Sequence, residues 1–147
     1  MSVSDIQFFF ENVSPLKFNQ QNLKWSVSGL VKKEFKNIGD ISVIFCSDDY
    51  LLKMNEQYLN HYYYTDIITF DYVENSIISG DLFISIDRVK ENAVKFDVSF
   101  VKELYRVVFH GVLHLTGYKD KTEKEKAIMR EKENYYLDKV DFSAEEI

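Results

Sequence analysis

The segment from Ser99 to Thr116 constrains this chain more than any other. Leu104, Val107, Val108, Val112, Leu113 and Leu115 occupy much of its circumference at helical spacing, which predicts a central helix buried on most sides. His110 and His114 lie within it, four residues apart. Four residues is slightly more than one turn, so both imidazoles project from one helix face. On a buried helix each must find partners away from water. Gly117 follows, where the chain can leave the helix and turn back, and Asp120 then brings an oxygen. Two nitrogens, a glycine turn and a carboxylate match a zinc site with three protein ligands and one open position. An open position normally holds water, which suggests hydrolysis.

The other constraints are broader. With 147 residues, 46% hydrophobic and 16% aromatic, the chain is expected to fold as one domain over 1–147 rather than stay disordered. Cys46 is the only cysteine, so no intrachain disulfide forms. No cationic, apolar leader follows Met1, which points to the cytoplasm. No apolar run approaches the ~20 residues that span a bilayer, so no membrane partner is expected. The net charge of −6 argues against bulk attraction to nucleic acid. Lysines and glutamates alternate between Lys119 and Lys132, and an acidic tail follows from Glu133 to Glu146. That stretch reads either as a solvated helix face laced with ion pairs or as lysines that hold phosphates beside a metal loop.

Periodicity gives the order β-α-β-α-β-β-α-α-α. Strands are expected at Ile6–Phe10, around Ile41–Cys46, at Ile67–Val73 and at Ile77–Ile86, the last two joined by the turn Glu74-Asn75-Ser76. Helices are expected from about Gln20 to Asn37, ending at Gly39, and from Ser47 along a stripe of Leu51, Leu52, Asn55, Tyr58 and Leu59. Further helices run from Asp87 to about Phe96, from Ser99 to Thr116, and from a Thr122–Glu125 capping box to about Val140. Gly80 inside a strand predicts a bulge or a close approach by another group. The fold class is α/β, with a small mixed four-stranded sheet, about five helices and the metal site at the end of the central helix.

The histidine string is not the protease signature. Where that motif carries a glutamate base, this chain has Gly111.

The string His110-Gly111-Val112-Leu113-His114-Leu115-Thr116-Gly117-Tyr118 closely resembles the signature of the YbeY family, bacterial endoribonucleases that mature ribosomal RNA. Thr65-Asp66-Ile67-Ile68-Thr69-Phe70 resembles that family's Pro-Thr-Asx-Val-Leu-Ser-Phe segment, with Tyr64 in place of the proline. Gly80-Asp81-Leu82-Phe83-Ile84 resembles its Gly-Asp-Ile-x-Ile strand, and Met129 and Glu131 stand in a similar last helix. The resemblance implies a zinc-dependent, single-strand-specific endoribonuclease. It would act on small-subunit ribosomal RNA 3′ ends, with the ribosome or its associated proteins as partners. His110, His114 and Asp120 would then be both metal ligands and catalytic residues.

Two departures matter. The family usually has a third histidine where Asp120 stands. Aspartate ligates zinc well, but its charge predicts a weaker Lewis acid or a broader choice of metal. Leu59 stands where the family commonly has an arginine, so a phosphate must be gripped elsewhere; Lys119, Lys121 and Arg106 are candidates. Asp81 and Glu131 are candidates for proton transfer. Tyr62, Tyr63, Tyr64 and Tyr118 can stack bases but are expected to serve mainly in packing. Two other classes remain open: a metallohydrolase of another substrate class, with a peptidase least favoured, and a ribosome-associated binding factor with a structural metal. The last would need a fourth ligand, for which Cys46 is the unassigned thiol, although its strand position suits a small buried hydrophobe.

Overall fold

The computed structural model describes residues 6–145. Met1 and Glu146, on which the leader and part of the acidic tail were read, lie outside them. β2 (Asn37–Cys46) is the spine of the sheet. It pairs in parallel with β1 (Ile6–Glu11) on one side and with β4 (Ile77–Ser85) on the other. β4 also pairs antiparallel with β3 (Ile67–Asp71), giving a mixed sheet in the order β1-β2-β4-β3. The helices are α1 (Gln20–Lys33), α2 (Asp48–Leu59), α3 (Ile86–Lys95), α4 (Phe100–Thr116) and α5 (Glu123–Leu137), and a 3-10 turn follows at Phe142–Glu145. The element order is the one the periodicity predicts. None of the helices among the described residues is long and apolar enough to cross a membrane.

Alternation along the strands sends side chains to two faces. Ile41, Val43, Phe45, Leu82 and Ile84 pack with α1 and α4 in the main core. Cys46 and Ile68 turn to the other face, which α2 covers through Leu51 with Tyr50 and Met54 beside it. α3 and α5 pack in turn on α4. α4 is therefore sandwiched, and Leu104, Tyr105, Val108, Phe109, Val112 and Leu113 are fully buried. Truncating one of these to alanine costs about 2–5 kcal/mol by the usual cavity argument.

Close approach sets the depth at which α4 lies on the sheet. A Cβ on Gly111 would stand 2.7 Å from Ile67 Cδ1 and 2.9 Å from Leu82 Cδ2. A Cβ on Gly80 would likewise stand 2.9 Å from Leu115 Cδ2 and 2.6 Å from the Phe70 carbonyl oxygen, so Gly80 marks a close approach. The register shift lies instead in β2, between Ile38 and Ile41.

α1 ends earlier than its pattern suggests. Glu34 closes it, Phe35 enters the left-handed region at φ +63°, and the Lys36 amide donates to the Val31 carbonyl. Phe35 continues the apolar spacing yet is 92% exposed, and Gly39 belongs to β2. The α2 stripe also holds only in part: Leu51 and Asn55 are buried, while Tyr58 and Leu59 at its end are exposed.

Candidate metal centre

α4 delivers the two histidines to the edge of the sheet and then stops. Ser99 caps its start by accepting from the Lys102 amide. Gly117 ends it at φ +115°, a conformation that side chains rarely adopt, and its amide donates to the carbonyls of Leu113 and His114. The chain reverses and carries Asp120 back over the last turn. Thr122 and Glu125 form the expected capping box and start α5.

The three expected ligands meet. His110 Nε2 and His114 Nε2 are 3.0 Å apart, and Asp120 Oδ2 lies 3.1 Å from the first and 3.3 Å from the second. Donor atoms about 2.0–2.1 Å from a tetrahedral zinc stand about 3.3 Å from one another. Among the described residues these three form the cluster suited to a metal ion.

The other ring nitrogens decide the protonation of this corner. His114 Nδ1 faces the Tyr118 carbonyl at 2.9 Å, and a carbonyl only accepts, so Nδ1 donates. His110 Nδ1 donates to Glu133 Oε2 at 2.6 Å. In the neutral rings both Nε2 atoms then carry lone pairs, which point with Asp120 at one spot. Three converging acceptors are unfavourable unless a cation joins them, so the donor set fits a divalent metal. Burial by itself would lower the His110 pKa. The hydrogen bond and charge of Glu133, with Asp120 and Asp66 beyond it, outweigh burial and raise it above the usual imidazole value, so the corner draws positive charge.

Glu133 is the residue that the sequence reading missed. It is 2% exposed, and Arg106 Nη1 also bonds its Oε1 at 3.0 Å. Burial would raise its carboxyl, but His110 and Arg106 hold it below the usual carboxylate range. Arg106 is clamped on its other side by Glu103, another buried carboxylate. Arg106 is therefore not a free phosphate grip, and its neutralised guanidinium steadies the support of His110. A local signal existed: Glu103, Arg106, His110 and His114 share one face of α4, and Glu133 lies on the stripe of α5 that buries Met129, Tyr136 and Leu137.

The three residues border an open cavity of about 720 Å³ along edge strand β3. Leu59, His61, Tyr63, Thr65 and Asp66 line it as well, and so do the exposed Lys119 and Lys121 on either side of Asp120. His61 stacks on Tyr63, with ring centroids 5.1 Å apart. Tyr62, Tyr63 and Tyr64 are 74%, 56% and 47% exposed, so they do not serve mainly in packing as expected. Tyr118 does serve the fold, through a 2.7 Å bond from its hydroxyl to Glu34. Neither Asp81, which accepts from Tyr72, nor Glu131 lines the cavity; besides Asp120, the carboxylates there are Asp66 and Asp71. Cys46 is buried on β2 with its thiol against the Ile84 carbonyl, and burial pushes its pKa up to about 12, so it is no fourth ligand. Gly111 faces Leu82 and Ile67, so a glutamate base there would point into the core.

A family model described as Endoribonuclease YbeY matches residues 10–141. The chain belongs to the YbeY family. A protein from Christiangramia forsetii named Endoribonuclease YbeY is 48% identical over 133 residues, covering 90% of this chain and 92% of that one. One of the same name from Cytophaga hutchinsonii is 51% identical over 132 residues, covering 88% and 92%. The solution structure of a protein from Thermotoga maritima superposes with a TM-score of 0.66 at 32% identity, covering 90% of this chain and 88% of that one. Membership of the YbeY family accounts for the histidine string, and Asp120, Leu59 and Tyr64 are among the points at which this chain departs from the pattern it resembles.

Proposed function

We propose that this chain is a zinc-dependent, single-strand-specific endoribonuclease of the cytoplasm that matures the 3′ end of small-subunit ribosomal RNA in contact with the ribosome. One observation carries the proposal: two imidazole lone pairs and a carboxylate converge at 3.0–3.3 Å beside an open cavity in a chain of the YbeY endoribonuclease family. The names of the relatives support the substrate class. Ribosomal RNA, the ribosome and zinc come from the resemblance and from the donor set.

His110, His114 and Asp120 would hold the ion. Zinc held there would supply Lewis acidity toward a phosphodiester. The chain's own groups do the rest. Glu133 and the Tyr118 carbonyl lock the two rings so that each Nε2 faces the site unprotonated. Asp66, across the cavity, is the proposed proton acceptor. The exposed aromatic wall receives bases, and the lysines beside Asp120 offset the charge of the approaching strand.

The test is a chelation series on purified protein with single- and double-stranded RNA, together with depletion in cells. Cleavage of the single strand is expected to vanish with the metal and return with zinc, and depletion should accumulate small-subunit RNA extended at its 3′ end. Cleavage that survives complete removal of metal would reject the proposal.

A further inference from the structure

A second hollow, of about 290 Å³, opens between α4 and α5 and shares His110 and Asp120 with the large cavity. The ligand cluster is thus a ridge between two hollows, and a strand lying across it touches both. Leu59 supplies no cation to the aromatic wall, Arg88 over the Tyr64 ring is paired with Asp48, and Arg106, inside the second hollow, is spent on Glu103 and Glu133. Two other cations line that hollow. Lys126 and Arg130 lie one turn apart on α5, with side chains 58% and 54% exposed. Their carboxylate contacts are long. Arg130 stands 3.9 Å from a Glu133 already bonded to His110 and Arg106, and Lys126 stands 3.8 Å from Glu123, which is almost wholly in solvent. Exposed contacts of this kind contribute little and exchange readily for a stronger anion. A guanidinium fork takes two phosphate oxygens together, and an ammonium adds a point charge.

We infer that Arg130 and Lys126 form a phosphate-binding subsite for the nucleotide adjoining the scissile bond. The RNA strand lies with bases toward the His61–Tyr63 wall and its backbone crossing the ligand ridge into the α4–α5 hollow. This rests on the endoribonuclease reading. On a chain of net charge −6, such local placement of cations is what admits a polyanion at the ridge.

The experiment measures binding of a single-stranded oligoribonucleotide across a salt series, with cleavage kinetics, zinc content and melting temperature. It uses the wild type, Arg130→Ala, Lys126→Ala, the double variant, Arg130→Lys, and Lys90→Ala on α3 as a distant control. The double variant should bind about tenfold more weakly, with KM rising, kcat near wild type and zinc content unchanged. The slope of log affinity against log salt should shrink by about 0.7 for each cation removed. Arg130→Lys should keep the slope and lose part of the affinity. Unchanged affinity and slope in the double variant, with wild type binding and cleaving normally, overturn the subsite alone. A wild type that neither binds nor cleaves RNA overturns the endoribonuclease reading and the subsite with it.

Discussion

α4 and α2 each have a left-handed cap residue, and each feeds one wall of the same cavity. α4 ends at Gly117, φ +115°, and releases the loop that carries Asp120; α2 ends at Asn60, φ +56°, and releases the loop that carries His61 to Asp66. The first loop is pinned by side chains: the Tyr118 hydroxyl to Glu34, the Tyr118 carbonyl to His114, and Asp120 against both histidines. The second is pinned through its backbone. The His61 amide donates to the Asn55 carbonyl, and the buried Asn55 amide donates to the Tyr63 carbonyl, so the rings stay outside. The wall that carries the candidate metal cluster is over-determined, whereas the aromatic wall is held by its backbone and keeps its rings at the surface.

The largest way to break this contrast is Glu133→Leu. It strips His110 of its hydrogen bond and leaves Arg106 half paired, so unfolding stability should fall by about 3–5 kcal/mol. Glu133→Gln keeps the shape and should lower zinc affinity by about 10–100-fold, read by chelator competition. Gly117→Ala comes next. A side chain at φ +115° costs about 1–3 kcal/mol and moves Asp120, so denaturant midpoint and zinc affinity should drop together. On the other wall, Tyr63→Ala should weaken single-stranded RNA binding by about tenfold, since stacking contributes about 1–3 kcal/mol per base. Its melting temperature should hardly move.

Acid sharpens the contrast further. Burial would raise the Glu34 carboxyl, but hydrogen bonds from Tyr136 and Tyr118 and the charge of Lys132 hold it below the usual value of about 4.5. A depressed folded pKa adds stability above the unfolded pKa, and that stability is lost as pH falls through the folded one. Melting temperature should therefore fall more steeply below about pH 4.5 in wild type than in Glu34→Gln. The smallest effect is Asn60→Gly, only a few tenths of a kcal/mol, because asparagine already tolerates the left-handed region.

What could be read beforehand was local. The α4 periodicity, the Gly117 stop and the i, i+4 histidines lie within one helix and its cap, and all appear in place. What could not be read joins distant segments. Glu133 reaches His110 across 23 residues, and Glu34 reaches Tyr118 across 84. Arg106 looked free because a guanidinium in a sequence does not reveal two buried carboxylates beside it. Phe35 looked helical because spacing continues past the residue where the backbone turns left-handed. The tyrosines at 62–64 looked like core because aromatics usually are, yet the loop after Asn60 runs beyond the end of α2.

The most direct measurement pairs zinc content with cleavage of single-stranded RNA in one preparation each of wild type and His114→Ala. About one zinc per wild-type chain is expected, with both zinc and cleavage lost in the variant while the fold persists. A folded, zinc-free His114→Ala that still cleaves at the wild-type rate would contradict zinc-dependent cleavage.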